Sequence, residues 1–159
     1  NILKVYENGK DIEARENMLE ASYLAGIAFT RAYVGYVHAI AHNFGGMYGT
    51  PHGLANAVIL PYVLDAFGES AYKPLAKLAD IAGLETAGMN EAQKANLFIA
   101  KIRELNKLLN IPEHLEVKEA DIETIAKRAN REGNPLYPVP KIMDVEDLKA
   151  IIRKVGNLD

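Results

Sequence analysis

The feature that most restricts the fold of this chain is a set of apolar stripes recurring at steps of three and four residues. Phe98, Ile102, Leu105 and Leu109 form one stripe, Ile122, Ile125, Ala126 and Ala129 a second, and Leu148, Ile151, Ile152 and Val155 a third. That spacing collects side chains on one face of an α-helix, whereas a half-buried strand needs alternation by two. No convincing alternating segment, internal repeat or low-complexity tract interrupts the pattern. The chain therefore reads as all-α, one helical domain over residues 1–159 built around one core.

Punctuation residues divide the helices. Asp11 is placed to cap a helix running to about Ala32, and a second helix covers Val34 to Phe44 and stops at Gly45-Gly46. After the loop Met47 to Pro51, a third helix starts near His52-Gly53 and runs to Phe67, with Pro61 expected to kink or divide it. Further helical segments follow around Ala71 to Ala82 and from Asn90, which with Gln93 resembles a capping box. Glu132 to Met143, carrying Pro135, Pro138 and Pro140, reads as an extended loop. The chain opens on what could be the end of a helix, with Asn8-Gly9 as its stop and no starting methionine, as a fragment of a longer protein would.

Composition removes several function classes. At 159 residues the chain can bury roughly 70% of the surface that its unfolded form exposes, enough for a core without staples. It has no cysteine, hence no disulfide framework, thiolate metal site or cysteine nucleophile, a pattern that suits a reducing cytoplasm. The net charge of −3 argues against nucleic acid as a partner. The most apolar run, Leu54 to Phe67, is broken by Asn56, Pro61 and Asp65, so a membrane span is not expected. The N-terminus meets charge too early for a signal peptide.

Three of the four histidines, His38, His42 and His52, fall within fifteen residues. His38 and His42 are four apart and share a helical face, and imidazole is a common ligand for zinc and iron. His52, at the start of the next helix, could swing back toward the same point. Spacing alone leaves two readings open: a metal or catalytic cluster, or a packed and hydrogen-bonded pair. The common metalloprotease and zinc-finger patterns both fail, the first for lack of an adjacent Glu and the second for lack of Cys.

Longer motifs surround these histidines. His38-Ala39-Ile40-Ala41-His42 is followed by Gly45-Gly46, then by Pro51-His52-Gly53-Leu54-Ala55-Asn56-Ala57 and Leu60-Pro61. With Asn8-Gly9-Lys10-Asp11, Ala14 to Met18, Ala25-Gly26 and the late Gly133-Asn134-Pro135, this resembles the C-terminal helical half of the iron-containing alcohol dehydrogenases, of the dehydroquinate synthase-like superfamily.

The resemblance implies an enzyme of two domains, with an N-terminal dinucleotide-binding domain that this chain lacks and an active site between the two. It implies a divalent metal, Fe2+ or Zn2+, held by one Asp and three His. Two of these ligands match His38 and His52. The other two, an Asp and a His four residues apart, would lie upstream of Asn1. His42 matches a histidine beside the nicotinamide and the substrate, and so carries the catalytic and cofactor-binding role. This overrides the pairing of His38 with His42 that spacing alone suggests.

The implied reaction is reversible hydride transfer between a small alcohol and an aldehyde or ketone, with NAD or NADP as the hydride carrier. The isolated chain, holding half a metal site, is expected to be inactive. The surface left by the missing N-terminal domain should be partly apolar, and could drive association into homo-oligomers. Many family members carry Pro-Leu after the histidine matched by His42, where this chain has Asn43-Phe44, a change expected to bear on substrate choice.

The alternatives are a stand-alone, non-catalytic helical binding module and a fragment of a glycerol dehydrogenase-like enzyme. Outside the cluster, His114 is expected at the surface, and Asn56 and Asp65 are expected to form local hydrogen bonds. Tyr33, Tyr36 and Tyr48 either line a pocket or pack into the core.

Overall fold

The computed structural model describes residues 1–158, and among them it contains eight α-helices and no strand. They are α1 (Ile2–Glu7), α2 (Ile12–Ala32), α3 (Tyr36–Tyr48), α4 (His52–Phe67), α5 (Glu69–Ile81), α6 (Glu91–Leu108), α7 (Glu119–Gly133) and α8 (Val145–Val155). The all-α expectation holds. The contacts group these helices into two compact units, residues 1–34 and the chain from Gly35 onward.

In the first unit, α1 packs against α2. Asp11 caps α2 as its sequence position suggests, its Oδ1 accepting from the Ala14 amide at 3.0 Å. Ala14 is the buried residue of this helix, while Leu19 and Tyr23 are 73% and 68% exposed and Leu24, Ile27 and Phe29 are exposed with them. The helix therefore presents apolar side chains to solvent.

In the second unit, α3 lies along α4 and α7, α5 along α6, and α7 along α8, while α4 also touches α6 and α8. The core is where these helices meet. Tyr36, Ile40 and Phe44 of α3, Val58, Ile59 and Val63 of α4, Ile122 and Ile125 of α7, and Leu148 and Ile152 of α8 are all fully buried. Each such side chain contributes roughly 1.5–3 kcal/mol relative to exposure. The stripe of α7 reaches the core as read, and so does that of α8, whereas in α6 it is Ala95 and Ile99 that are fully buried.

Pro61 does not divide α4, which is continuous through it. A proline inside a helix leaves the carbonyl four residues earlier without its donor. Here that carbonyl belongs to Ala57, and the side-chain amide of Asn106 on α6 donates to it at 2.8 Å. The defect is repaired by a neighbouring helix, so the turn holds.

Two helix ends differ from the sequence reading. α3 runs past Gly45-Gly46 and ends at Gly49, whose φ of 67° is the left-handed conformation that terminates helices. Its amide closes the last turn onto the Gly45 carbonyl at 3.1 Å. α7 likewise continues through Glu132 and Gly133, so the proline-rich loop begins at Asn134.

The capping box at Asn90 and Gln93 forms in both directions, each bond 2.9 Å long. A second box, Asp144 with Asp147, opens α8, where the sequence had marked only the apolar stripe.

A buried knot ties α3 to the end of α7. The Tyr36 hydroxyl donates to Asn134 Oδ1 at 2.6 Å and accepts from the Met143 amide at 2.9 Å. Asn134 and Asn130 then donate their side-chain amides to the Met143 carbonyl, at 2.9 and 3.2 Å. Gly133 lies against the Tyr36 ring, where a Cβ would stand 2.7 Å from the nearest ring carbon.

These contacts generate two stability predictions. Gly133→Ala should destabilise the fold by about 1–3 kcal/mol through overpacking against a fully buried ring. Asn106→Leu, which strips the Ala57 carbonyl of its donor, should cost about 1–3 kcal/mol. Urea unfolding midpoints measure both.

Candidate functional site

The short turn between α3 and α4 builds the histidine cluster. His38 and His42 stand one turn apart on α3, and His52 is the first residue of α4. Gly49 reverses the chain, and the Pro51 carbonyl accepts the Ala55 amide at 2.9 Å to start α4. The outcome is three imidazoles in mutual contact. The His38 and His52 ring centres are 5.3 Å apart, those of His42 and His52 are 5.4 Å apart, and those of His38 and His42 are 6.0 Å apart. All three sequence-nominated residues therefore meet, and ring spacing alone does not separate one pairing from another.

Each ring has a different setting. His38 is half-buried, whereas His42 and His52 are exposed. Burial, followed by the neighbouring His52 and His42 rings, holds the His38 pKa below the ordinary 6.5, against a smaller opposing pull from Glu132. The His52 ring nitrogens are approached by the Asn56 side-chain amide at 3.0 and 3.3 Å, and the same amide donates to the His52 carbonyl at 2.9 Å. Asn56 is thus the local hydrogen-bonding residue expected, and it sits against the cluster itself.

His42 Nδ1 lies 2.8 Å from Glu132 Oε1, and the Tyr137 hydroxyl donates to that same oxygen at 2.9 Å. Sequence reasoning missed Glu132 and Tyr137 because it assigned both to an extended loop. One signal was available: Gly133 prolongs the Ile122, Ile125, Ala126, Ala129 stripe by one more turn, which makes Glu132 helical.

Several neighbours prove structural. Tyr36 is in the core, Tyr48 donates to Asp121 Oδ2 at 2.5 Å at the far end of α3, and Tyr33 is exposed in the first unit. Asn43 is buried with its amide on the Ala39 carbonyl at 2.9 Å, and Phe44 is fully buried. Both side chains of the Asn43-Phe44 pair are thus buried. His114, expected at the surface, is half-buried, with Nδ1 at 3.0 Å from the Lys154 carbonyl and 3.2 Å from the Tyr62 hydroxyl. Asp65 pairs with Arg103 at 2.6 Å.

A cleft of about 670 Å3 lies elsewhere, between α4 and α6, and is lined by Val58, Tyr62, Arg103 and Lys107. The cluster stands on an open face. Among the described residues, no group of three or more His, Cys, Asp or Glu is arranged to hold an ion.

The Fe-containing alcohol dehydrogenase family, in its C-terminal part, matches residues 1–156. The chain belongs to this family. It is 39% identical over 157 residues to a 1,3-propanediol dehydrogenase of Klebsiella pneumoniae, a match covering 97% of this chain and 40% of that protein. It is 37% identical over 153 residues to an NAD-dependent methanol dehydrogenase of Bacillus methanolicus, covering 94% of this chain and 40% of the relative. The crystal structure of a 1,3-propanediol oxidoreductase superposes with a TM-score of 0.92 at 37% identity, covering 98% of this chain and 41% of that one. The chain thus spans about 40% of the length of the relatives it matches. Among the described residues, no helix is long and apolar enough to cross a membrane.

The lowered His38 pKa has a readable consequence. A histidine NMR titration should place the His38 midpoint below 6.5. The unfolded chain, with the ordinary value, takes up this proton first as pH falls. The stability tied to neutral His38 should therefore be complete above pH 6.5 and decline as pH drops toward the lowered folded value.

Proposed function

We propose that this chain is the helical, metal-holding part of an NAD(P)-dependent alcohol dehydrogenase that interconverts a small alcohol with its aldehyde or ketone. The observation that carries this reading is the convergence of three imidazoles inside a sequence that matches the family over residues 1–156. A nicotinamide carrier is in keeping with the NAD-dependent relative.

His38 and His52 are the two metal ligands in this proposal. Imidazole nitrogen is a donor that zinc and iron accept, and the two rings stand with centres 5.3 Å apart. His42 and His52 are as close, at 5.4 Å, so the family motif and not the spacing selects this pair. The depressed His38 pKa keeps that ring neutral, the form that ligates. The remaining ligands, an Asp and a His, come from the part of the protein outside this chain, as does the dinucleotide-binding domain. When bound, Fe2+ or Zn2+ supplies Lewis-acid polarisation of the substrate oxygen.

His42 is the proposed catalytic and nicotinamide-side residue. In this reading its imidazole, one turn from His38 on α3, takes up or returns the alcohol proton. Asn56 steadies His52 from within α4. The chain alone, with two ligands and no nucleotide site, is inactive in this reading, and the whole enzyme works in the cytoplasm.

A metal titration tests the assignment. Binding of Zn2+ or Fe2+ should weaken by about tenfold or more in His38→Ala and in His52→Ala and persist in His42→Ala, since an ion loses a direct ligand only in the first two. Loss of binding in His42→Ala with binding retained in His52→Ala would sink the pairing.

A further inference from the structure

Glu132 reaches the cluster from α7, ninety positions along the chain from His42, and its role is not covered by the assignment of the three histidines. Its Oε1 lies 2.8 Å from His42 Nδ1 and 2.9 Å from the Tyr137 hydroxyl. A carboxylate offers only acceptor oxygens, so a ring nitrogen bonded to it must be the one that carries hydrogen. In a neutral imidazole the other nitrogen then keeps its lone pair. The carboxylate is itself held: Tyr137 fixes the same oxygen, and Gly133 next to it is pinned against the buried Tyr36 ring.

We propose that Glu132 is a positioning residue that holds His42 in the Nδ1–H tautomer, leaving Nε2 as the proton acceptor of the site. This rests on the reading of His42 as the residue beside substrate and nicotinamide. A bound nicotinamide would supply the hydride acceptor, and His42 Nε2 would take up the hydroxyl proton as the alcohol is oxidised and return it on reduction, so atoms and charge balance. Without Glu132, the proton is free to sit on Nε2 and the ring presents a donor where an acceptor is needed. Tyr137 extends the same chain of hydrogen bonds by one member, and its hydroxyl keeps its proton because burial, with Glu132 beside it, raises its pKa.

The test uses the full-length protein loaded with zinc, which is diamagnetic, and labelled with 15N at histidine. His42 signals are assigned by their loss in His42→Ala. At a pH where the ring is neutral, Nδ1 should show the shift of a protonated nitrogen and Nε2 that of an unprotonated one. Glu132→Gln, whose amide can donate to Nδ1, should shift the population toward the opposite tautomer. It should also lower kcat by about tenfold or more, a part of the roughly 10²–10⁴-fold that a positioned proton acceptor contributes. KM should move by no more than about twofold, since an interaction needed only for the chemical step falls on kcat. Glu132→Asp should keep the tautomer and recover part of the rate.

A wild-type His42 found with its proton on Nε2 overturns the proposal, as do shifts that Glu132→Gln leaves in place. The tautomer is read from the shifts alone, without turnover. A protein with the expected tautomer and no dehydrogenase activity would thus refute the proposed function and not the pairing.

Discussion

The arrangement of the second unit depends on one buried hydroxyl. Tyr36 is fully enclosed, and a phenol oxygen in that position must find partners or destabilise the fold by about 1–3 kcal/mol. It finds them in Asn134 and in the Met143 amide, both far along the chain. The bond therefore fixes where α7 ends and where the loop leading to α8 returns. Gly133 is the steric half of the same device, since only a residue without a Cβ can lie so close to the ring. With α7 docked at that height, Glu132 arrives beside His42, and the side-chain chemistry of α3 acquires a carboxylate from another helix.

The site is a product of local and distant causes in unequal shares. The turn from α3 to α4 is local: a left-handed Gly49, a proline and a new helix are enough to bring His52 against His38 and His42. Such a turn is encoded in consecutive residues and needs little from the core. Glu132 and Tyr137 are the distant share. Their contribution depends on α7 packing on α3 in one register, which the Tyr36 knot supplies.

Sequence reading therefore succeeded and failed along a physical line. Helix existence and faces were legible, because an apolar stripe such as Leu148 to Val155 has to be buried wherever it ends up. The caps at Asp11 and Asn90 were legible too, because a side chain bonding three residues ahead is a local event. Helix ends were less so. Gly45-Gly46 suggested a stop, yet glycine breaks a helix only weakly, and packing of Phe44 and the Gly49 turn carried α3 onward. The triad of histidines was visible as a cluster, whereas Glu132 was hidden behind the punctuation of Gly133-Asn134-Pro135. Its contact with His42 spans ninety positions, and no short-range pattern reports on such a distance.

The repair of Pro61 carries one more consequence. Helical bundles held together by aliphatic stripes are prone to slide, because one leucine-sized contact much resembles the next. A proline that empties the Ala57 carbonyl, and an Asn106 amide that fills it, make a lock and key of single-residue resolution between α4 and α6. Sliding α6 by one turn would carry the Asn106 amide away from the Ala57 carbonyl and break the bond. The apparent flaw in α4 thus works as an alignment mark, setting the depth at which a neighbouring helix docks on the one that begins with His52.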